Sequence, residues 1–236
     1  MTQPPAEELP PHRPVPLQRL LDRDEATQPH TPAAERTAGS GWWLPTPPQA
    51  LELMRHEGAG PAVCSHVATV LRLGEIVCAQ LQKAQVPIDS RVVLAGCVLH
   101  DLGRSVRHDL WHGIVGSERL AALGAHPALV LAVRRHIGSG ITAQEAVANG
   151  LPDESFVPQS LEEEVVSHVD NLVGGDRYRP AAAAAALFDR KGLHASAQRL
   201  REVHLRLSTL AGVDLDDLLP PNAPAGGLAS APSGAM

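Results

Sequence analysis

The stretch that decides the fold is Ala95-Gly-Cys-Val-Leu-His-Asp-Leu-Gly103, in which an apolar helical run leads into His100 and Asp101. Adjacent side chains on a helix point about 100° apart, so this pair cannot chelate one ion from a single helix face as an i, i+4 pair does. The two residues can hold an ion between them at a helix end, which leaves the second carboxylate oxygen of Asp101 free for another ion. Partners must then come from elsewhere, and the candidates are His66, His108, His112, His136 and Asp170.

The composition favours packed helices. Of the 236 residues, 44% are hydrophobic but only 3% are aromatic, which suits a core of Leu, Val, Ala and Ile better than an aromatic-rich β-sandwich. The formal net charge of −6 argues against an extended nucleic-acid surface and against an anionic membrane as partner. Cys64, Cys78 and Cys97 lie in apolar helical segments without Cys-x-x-Cys spacing, so we expect buried reduced thiols.

No targeting or membrane segment is expected. The longest apolar stretches, such as residues 92–99, fall far short of the ~20 residues that a transmembrane helix needs. The N-terminus is proline-rich and acidic, and no basic segment is followed by an apolar one as in a secretory signal. These features predict a cytoplasmic protein.

Three regions differ in composition. Residues 1–47 are rich in Pro, Thr, Glu and Gln and predict a disordered leader, with Trp42 and Trp43 as a first anchor on the folded part; residues 217–236 predict a disordered tail. Residues 48–216 predict one all-α domain, because helix signals recur and no alternating run requires a sheet. The predicted helices cover residues 48–57, 61–84, 89–103, 112–123, 127–138, 142–150, 160–175, 180–190 and 195–210, with Asp89 as an N-cap and capping boxes at Thr142/Glu145 and Ser160/Glu163.

The candidate ligands indicate a metal site. Imidazole and carboxylate groups suit Mn, Fe, Zn, Ni or Co, whereas calcium prefers oxygen ligands alone and structural zinc usually takes thiolates. One shell is supplied by His66, His100, Asp101 and Asp170, and a second ion, bridged through Asp101, would use His112 and His136. Two ions about 3.5 to 4 Å apart polarise a phosphoryl group and generate a bridging hydroxide near neutral pH.

The order of these residues resembles the HD-domain superfamily of metal-dependent phosphohydrolases, over roughly Pro61 to Gly175. The stretch Ala95–Gly103 is similar to the subgroup whose signature is His-Asp-Ile-Gly, with Leu102 in place of isoleucine. The resemblance implies a compact multi-helix bundle holding one or two divalent ions. It implies that the first ion is bound by His66, His100, Asp101 and Asp170 and the second by Asp101, His112 and His136.

The resemblance also suggests residues that contact the substrate. Arg104 stands where many relatives have a lysine, and a guanidinium there would steady a substrate phosphate through two parallel hydrogen bonds. His108 could reach the same ion as His112 if that stretch is helical, and a substrate-contacting or proton-donating role is favoured for it. Arg107, Arg134 and Arg135 would add a local positive field, and Trp111 is the best-placed ring for stacking on a base.

Three functions compete. The leading hypothesis is a divalent-metal-dependent phosphohydrolase in which a metal-activated hydroxide hydrolyses a nucleotide or another small phosphate monoester or cyclic phosphodiester. In this hypothesis Asp101, Arg104 and His108 are the catalytic candidates. The alternatives are a di-iron enzyme that cleaves an organophosphonate oxidatively, which the resemblance also allows, and a module that binds a nucleotide or a partner without turnover. The sequence carries no signal for the oligomeric state.

Overall fold

The computed structural model describes residues 41–219, and within this range the chain is helical apart from one small hairpin. The prediction of an all-α domain is confirmed. The disorder predicted for residues 1–40 of the leader and 220–236 of the tail lies outside the described residues. The chain is already anchored at Trp43, whose N–H donates to the Gly124 carbonyl at 2.9 Å and whose carbonyl accepts from the His126 N–H at 2.8 Å.

The described elements follow in a simple order. The α-helices are α1 Pro47–His56, α2 Pro61–Lys83, α3 Ser90–Leu99, α4 His112–Ala122, α5 Pro127–Arg134, α6 Ala143–Ala148, α7 Leu161–Asn171, α8 Ala181–Arg190, α9 His194–Ala211 and α10 Leu215–Leu218. A short 3-10 helix spans Leu102–Ser105, between α3 and α4. Strands β1 Val173–Gly174 and β2 Arg177–Tyr178 pair antiparallel between α7 and α8, with Val173 opposite Tyr178.

Local sequence signals set many of the helix starts. Proline occupies the first turn of α1, α2 and α5, where its missing N–H leaves no helical hydrogen bond unmade. Asp89 caps α3 by accepting from the Arg91 N–H, and the Thr142/Glu145 capping box forms in both directions. The second predicted box forms only in part. Ser160 accepts from the Glu163 N–H, but the Glu163 carboxylate turns to Arg135 instead.

Helix α3 is the centre of the domain. Helices α1, α2, α5 and α7 all pack against it, and most of its side chains are buried. A Cβ at Gly96 would lie 2.8 Å from a methyl group of Val166, so the absence of a side chain lets α3 and α7 approach closely. The residues that follow α3 are therefore held by a rigid core element.

Three boundaries differ from the predicted ones. Helix α3 ends at Leu99 rather than at residue 103, so His100 and Asp101 lie in the turn that leads into the 3-10 helix. Helix α5 ends at Arg134, which places His136 after the helix instead of within it. The predicted end of α7 near Gly174-Gly175 is a hairpin, since the chain reverses through Gly175, whose φ is +66°.

Helix α2 is long and apolar enough, by length and composition, to cross a membrane, with a mean hydropathy of 1.5 over the relevant window. The core helix of a globular domain satisfies the same criterion. Helix α2 packs against α3, α7 and α9, and Val67, Val70 and Val77 on it are fully buried. These contacts account for its hydrophobicity, and the cytoplasmic location remains a prediction.

The cysteines are free thiols, and two of them, Cys78 and Cys97, are buried as predicted. Cys64 is half-buried near the start of α2. Burial raises the pKa of the Cys78 thiol to about 12 and that of Cys97 well above its usual value. Neither buried thiol has the character of a reactive nucleophile.

Candidate metal centre

Six predicted ligands converge around the end of α3. Helix α2 supplies His66, the turn after α3 supplies His100 and Asp101, α4 begins with His112, His136 follows α5, and Asp170 lies in the last turn of α7. His100 and Asp101 are only 0% and 5% exposed. Ionisable groups buried to this extent require compensating partners.

The first group surrounds the Asp170 carboxylate. Its Oδ1 lies 2.9 Å from His66 Nε2 and 3.3 Å from His100 Nε2. The Oδ2 atom of Asp101 lies 3.7 Å from His100 Nε2 and 4.0 Å from His66 Nε2. Two imidazoles and two carboxylates therefore face one small volume.

The second group surrounds the other oxygen of Asp101. His112 Nε2 lies 3.2 Å and His136 Nε2 lies 3.7 Å from Asp101 Oδ1, and the two Nε2 atoms are 3.0 Å apart. Asp101 thus presents one oxygen to each group, which is the arrangement that a bridging carboxylate requires.

The tautomer of each imidazole is fixed by the backbone. In all four histidines Nδ1 lies within hydrogen-bond distance of a carbonyl, and because a carbonyl only accepts, Nδ1 must carry the proton. The four bonds are His66 to Gly175 at 2.8 Å, His100 to Cys97 at 2.9 Å, His112 to Asp109 at 2.6 Å and His136 to Val133 at 2.7 Å. A neutral ring held in this way directs its Nε2 lone pair inward, as in a metal-ligating histidine whose other nitrogen is held by an acceptor.

The two aspartates of the site, Asp101 and Asp170, are strongly favoured in their ionised form. Burial opposes ionisation of Asp101, but the adjacent imidazoles of His100, His112 and His136 outweigh it and hold its pKa well below the usual range. Asp170 shows the same balance, with His100 and His66 as its partners. Burial alone would lower the pKa of His100, yet Asp170 and Asp101 raise it to about 9. Burial lowers the pKa of His136 and keeps that imidazole neutral.

These residues fit divalent ions. With Nδ1 protonated on both rings, the Nε2 lone pairs of His112 and His136 meet at 3.0 Å, which is repulsive unless a cation lies between them. Ligand atoms about 2.1 Å from an ion are separated by roughly 3.0 Å in octahedral and 3.4 Å in tetrahedral geometry. Most donor separations in both groups lie near this range. The mixture of imidazole and carboxylate suits Mn, Fe, Co, Ni or Zn rather than calcium.

Arg104 lies beside the ligands, on the 3-10 helix. Its Nε donates to Asp101 Oδ1 at 2.6 Å, so the guanidinium contacts the carboxylate that bridges the two groups. The side chain is 32% exposed and borders solvent. The predicted contact between Arg104 and a substrate phosphate remains a prediction.

His108 lies on the exposed turn between the 3-10 helix and α4. Residues 106–111 are not α-helical, so the i, i+4 pairing of His108 with His112 does not form. The His108 carbonyl is 3.5 Å from Arg104 Nη1, and the residue is exposed. Its catalytic role remains a prediction.

The local positive field predicted from three other arginines is wrong, because each is paired with a carboxylate. Arg107 Nε donates to Asp109 at 3.1 Å, Arg135 Nη1 donates to Glu163 at 3.0 Å, and Arg134 forms an ion pair with Glu154. Trp111 is half-buried against the apolar cluster around Phe156, and the Arg107 guanidinium lies 5.4 Å from its ring centroid. The ring face beneath Arg107 is therefore already covered.

The hairpin is a part of the site that the sequence did not predict. The Gly175 carbonyl holds His66, and Thr69 Oγ1 on α2 donates to the Asp176 carbonyl at 3.1 Å. The Gly174-Gly175 pair was interpreted only as a helix end. A following Asp-Arg-Tyr segment with a β-forming Tyr178 is the signal that could have indicated a turn between strands.

Comparison with known proteins agrees with this geometry. Residues 63–174 match the model of the HD domain family. Residues 63–174 therefore form an HD domain, and the HD-domain superfamily includes metal-dependent phosphohydrolases.

Two curated relatives share about a third of their aligned residues with this chain. It is 36% identical over 176 residues to a tRNA (cytidine(56)-2'-O)-methyltransferase of Picrophilus torridus, which covers 75% of this chain and 50% of that protein. It is 34% identical over 175 residues to the protein of the same name from Thermoplasma volcanium, which covers 74% and 50% respectively. The chain thus spans about half the length of these relatives.

Among solved structures, the HD domain of the L. monocytogenes phosphodiesterase PgpH aligns with 69% of this chain and 97% of that domain. The sequence identity is 16% and the TM-score is 0.42.

Metal binding is expected to stabilise the fold, because an ion would neutralise the buried carboxylates and separate the facing imidazole lone pairs. At ten times the dissociation constant, a bound ion adds about 1.4 kcal/mol to the free energy of unfolding. For a domain of this size that corresponds to a rise in Tm of about 3 to 6 °C. Thermal melts of chelator-treated protein with Mn²⁺ or Co²⁺ measure it, and Ca²⁺ is the control. Equal melting temperatures with all three ions would contradict the assignment.

Proposed function

We propose that this protein is a divalent-metal-dependent phosphohydrolase that acts on a nucleotide or another small phosphate monoester or cyclic phosphodiester. The observation that carries the proposal is the set of four inward-facing Nε2 atoms around Asp101 and Asp170, each with its Nδ1 held by a backbone carbonyl. Such a set provides two adjoining ion sites joined by one carboxylate.

In this proposal each side chain has a defined task. His66, His100, Asp170 and Asp101 Oδ2 would hold the first ion, and His112, His136 and Asp101 Oδ1 the second. When bound, such ions supply Lewis acidity at the phosphoryl oxygens and lower the pKa of water to near neutrality. Backbone bonds at Nδ1 fix the orientation of all four rings, so little reorganisation accompanies binding.

Two residues at the rim would serve the substrate. Arg104 would bind a phosphate oxygen, since a guanidinium presents several N–H donors in one plane. His108 is exposed on the adjoining turn, where an imidazole could donate a proton to the leaving oxygen. The four buried or half-buried histidines cannot do so because both of their ring nitrogens have other roles.

The names of the two archaeal relatives refer to methyl transfer to tRNA, but the chain spans only half of each. A cluster of imidazole and carboxylate ligands suits a metal-assisted reaction at a phosphoryl group. The relatives do suggest one kind of substrate to test, namely short RNA that carries a terminal phosphate.

The experiment is a phosphate-release assay with metal-free protein reloaded with Mn²⁺, Fe²⁺, Co²⁺, Ni²⁺ or Zn²⁺. Nucleoside monophosphates, cyclic nucleotides, sugar phosphates and short RNA form the panel. We expect release with at least one ion, its loss with chelator, and a fall on the order of tenfold for His66→Gln. His194→Gln is the matched control, because that imidazole is exposed and pairs with Asp189 away from the site.

Two other outcomes would replace the proposed hydrolase with one of its alternatives. Iron-dependent oxygen uptake with an organophosphonate and no hydrolysis would identify the oxidative alternative. Tight nucleotide binding without turnover across all five ions would identify a binding module.

A further inference from the structure

Arg104 and the second group of ligands compete for a single oxygen atom. Asp101 Oδ1 accepts from Arg104 Nε at 2.6 Å and lies 3.2 Å from His112 Nε2 and 3.7 Å from His136 Nε2. A cation held by these two histidines and Oδ1 would therefore adjoin a guanidinium that already neutralises the same oxygen. Like charges that share one carboxylate oxygen disfavour each other.

The first group has no such competitor. The carboxylate oxygens of the first group are Asp170 Oδ1 and Asp101 Oδ2. In the described part of the chain, the imidazoles of His66 and His100 face these two atoms. An ion in the first group would lie beside two carboxylates. An ion in the second group would lie beside one, and that carboxylate is already paired with Arg104. The two sites are thus unequal, although each contains two imidazoles.

The Arg104 side chain is also able to move away from Asp101. Its side chain is 32% exposed, it lies on a single turn of 3-10 helix, and the adjoining residues 106–110 are exposed. A phosphate at the mouth of the site offers a guanidinium a second anion, with two oxygens that match its planar donors. Movement of the side chain from Asp101 to that anion needs no change in the helices.

We infer that Arg104 controls occupancy of the second ion site: it holds Asp101 Oδ1 while that site is vacant and releases it when a phosphate draws the guanidinium away. Phosphate and the second ion then bind cooperatively, and by linkage each strengthens the other by the same factor. The inference rests on the proposed function only in taking a phosphate group as the ligand.

The test is a calorimetric titration of metal-free protein with Mn²⁺, with and without inorganic phosphate, with magnetic coupling between Mn²⁺ ions as a spectroscopic readout of the paired state. In the wild-type protein we expect one tight and one weak site, and phosphate should tighten the weak site about tenfold. In Arg104→Gln the second site should be about tenfold tighter without phosphate, and phosphate should add little further. Arg107→Gln, which removes a neighbouring exposed arginine, should behave as wild type.

Three results would overturn the inference. The second site could be unchanged or weaker in Arg104→Gln, which would make the arginine a fixed positioning residue for Asp101. Phosphate could tighten the second ion equally in both proteins, which would make phosphate a direct ligand. The wild-type protein could fail to respond to phosphate, a result that requires no variant to fold. Cooperative binding without any phosphate release would instead count against the proposed hydrolase activity and leave the inference standing.

Discussion

Asp101→Asn is expected to abolish the binding of two ions together and to lower phosphate release by on the order of 10²-fold or more. The two carboxylate oxygens serve different groups, Oδ2 towards His66 and His100 and Oδ1 towards His112 and His136. An amide loses the negative charge and turns one of these positions into an N–H donor, which cannot ligate. Both ion sites are therefore impaired by one substitution.

The bridging role gives this variant a signature that ordinary ligand loss lacks. Within residues 41–219, the histidines in contact with Asp170 are His66 and His100 of the first group, so Asp170→Asn should weaken one site and leave the second set of donors intact. Elemental analysis and Mn²⁺ titration distinguish the two variants by stoichiometry. Asp217→Asn is the matched control, since Asp217 is an exposed aspartate of α10 and takes no part in the ligand groups. Retention of two ions by Asp101→Asn would refute the bridge.

The candidate ligands could be chosen from the sequence because the choice depends on residue type and order. All six members are histidines or aspartates, and four of them lie at or near the ends of predicted helices, where a sequence position corresponds to a definite place in the fold: His100, Asp101, His112 and His136. The Pro127 and Asp89 signals located two of those helices correctly. Carboxylates near helix interiors, such as Asp101, also favour a metal site over an ordinary core position, since a charge in the core needs ligands or hydrogen bonds.

The helix ends near the site could not be predicted. The apolar run of α3 continues through Leu102, which is buried, so hydrophobic periodicity gives no reason to stop at Leu99. The helix ends because the next residues turn into a 3-10 segment that contacts α4, and this is a tertiary effect. The same holds for the hairpin, because strands of two residues are too short to show an alternating pattern.

The net charge around the site could not be predicted from the sequence. Arg134 and Arg135 stand next to a ligand in sequence, yet their partners Glu154 and Glu163 lie 20 and 28 residues away. Glu163, predicted as the capping-box partner of Ser160, is buried and its carboxylate pairs with Arg135. Net local charge follows from such long-range pairs, which a single sequence does not reveal.

The glycine of the signature makes a separate, structural contribution. A Cβ at position 103 would lie 2.0 Å from the carbonyl oxygen of His112 and 2.9 Å from the N–H nitrogen of Gly116. Both contacts are backbone atoms of α4, so no side-chain rotation can relieve them. Since His112 begins α4 and its Nε2 lies 3.2 Å from Asp101 Oδ1, an added methyl group must push this candidate ligand away from the Asp101 carboxylate.

Gly103→Ala is accordingly expected to lower the free energy of unfolding by about 3 kcal/mol, at the upper end of the usual cost of overpacking. Urea unfolding measures this loss, and Mn²⁺ titration should show that the second site weakens more than the first, because His66 and Asp170 do not lie on α4. Gly60→Ala is the control. Gly60 has ordinary backbone angles, and no heavy atom lies within 4 Å of an added Cβ, so its stability should change by about 1 kcal/mol or less. Equal stabilities for the two variants would show that α4 can shift freely, and the close approach at Gly103 would then have no part in placing His112.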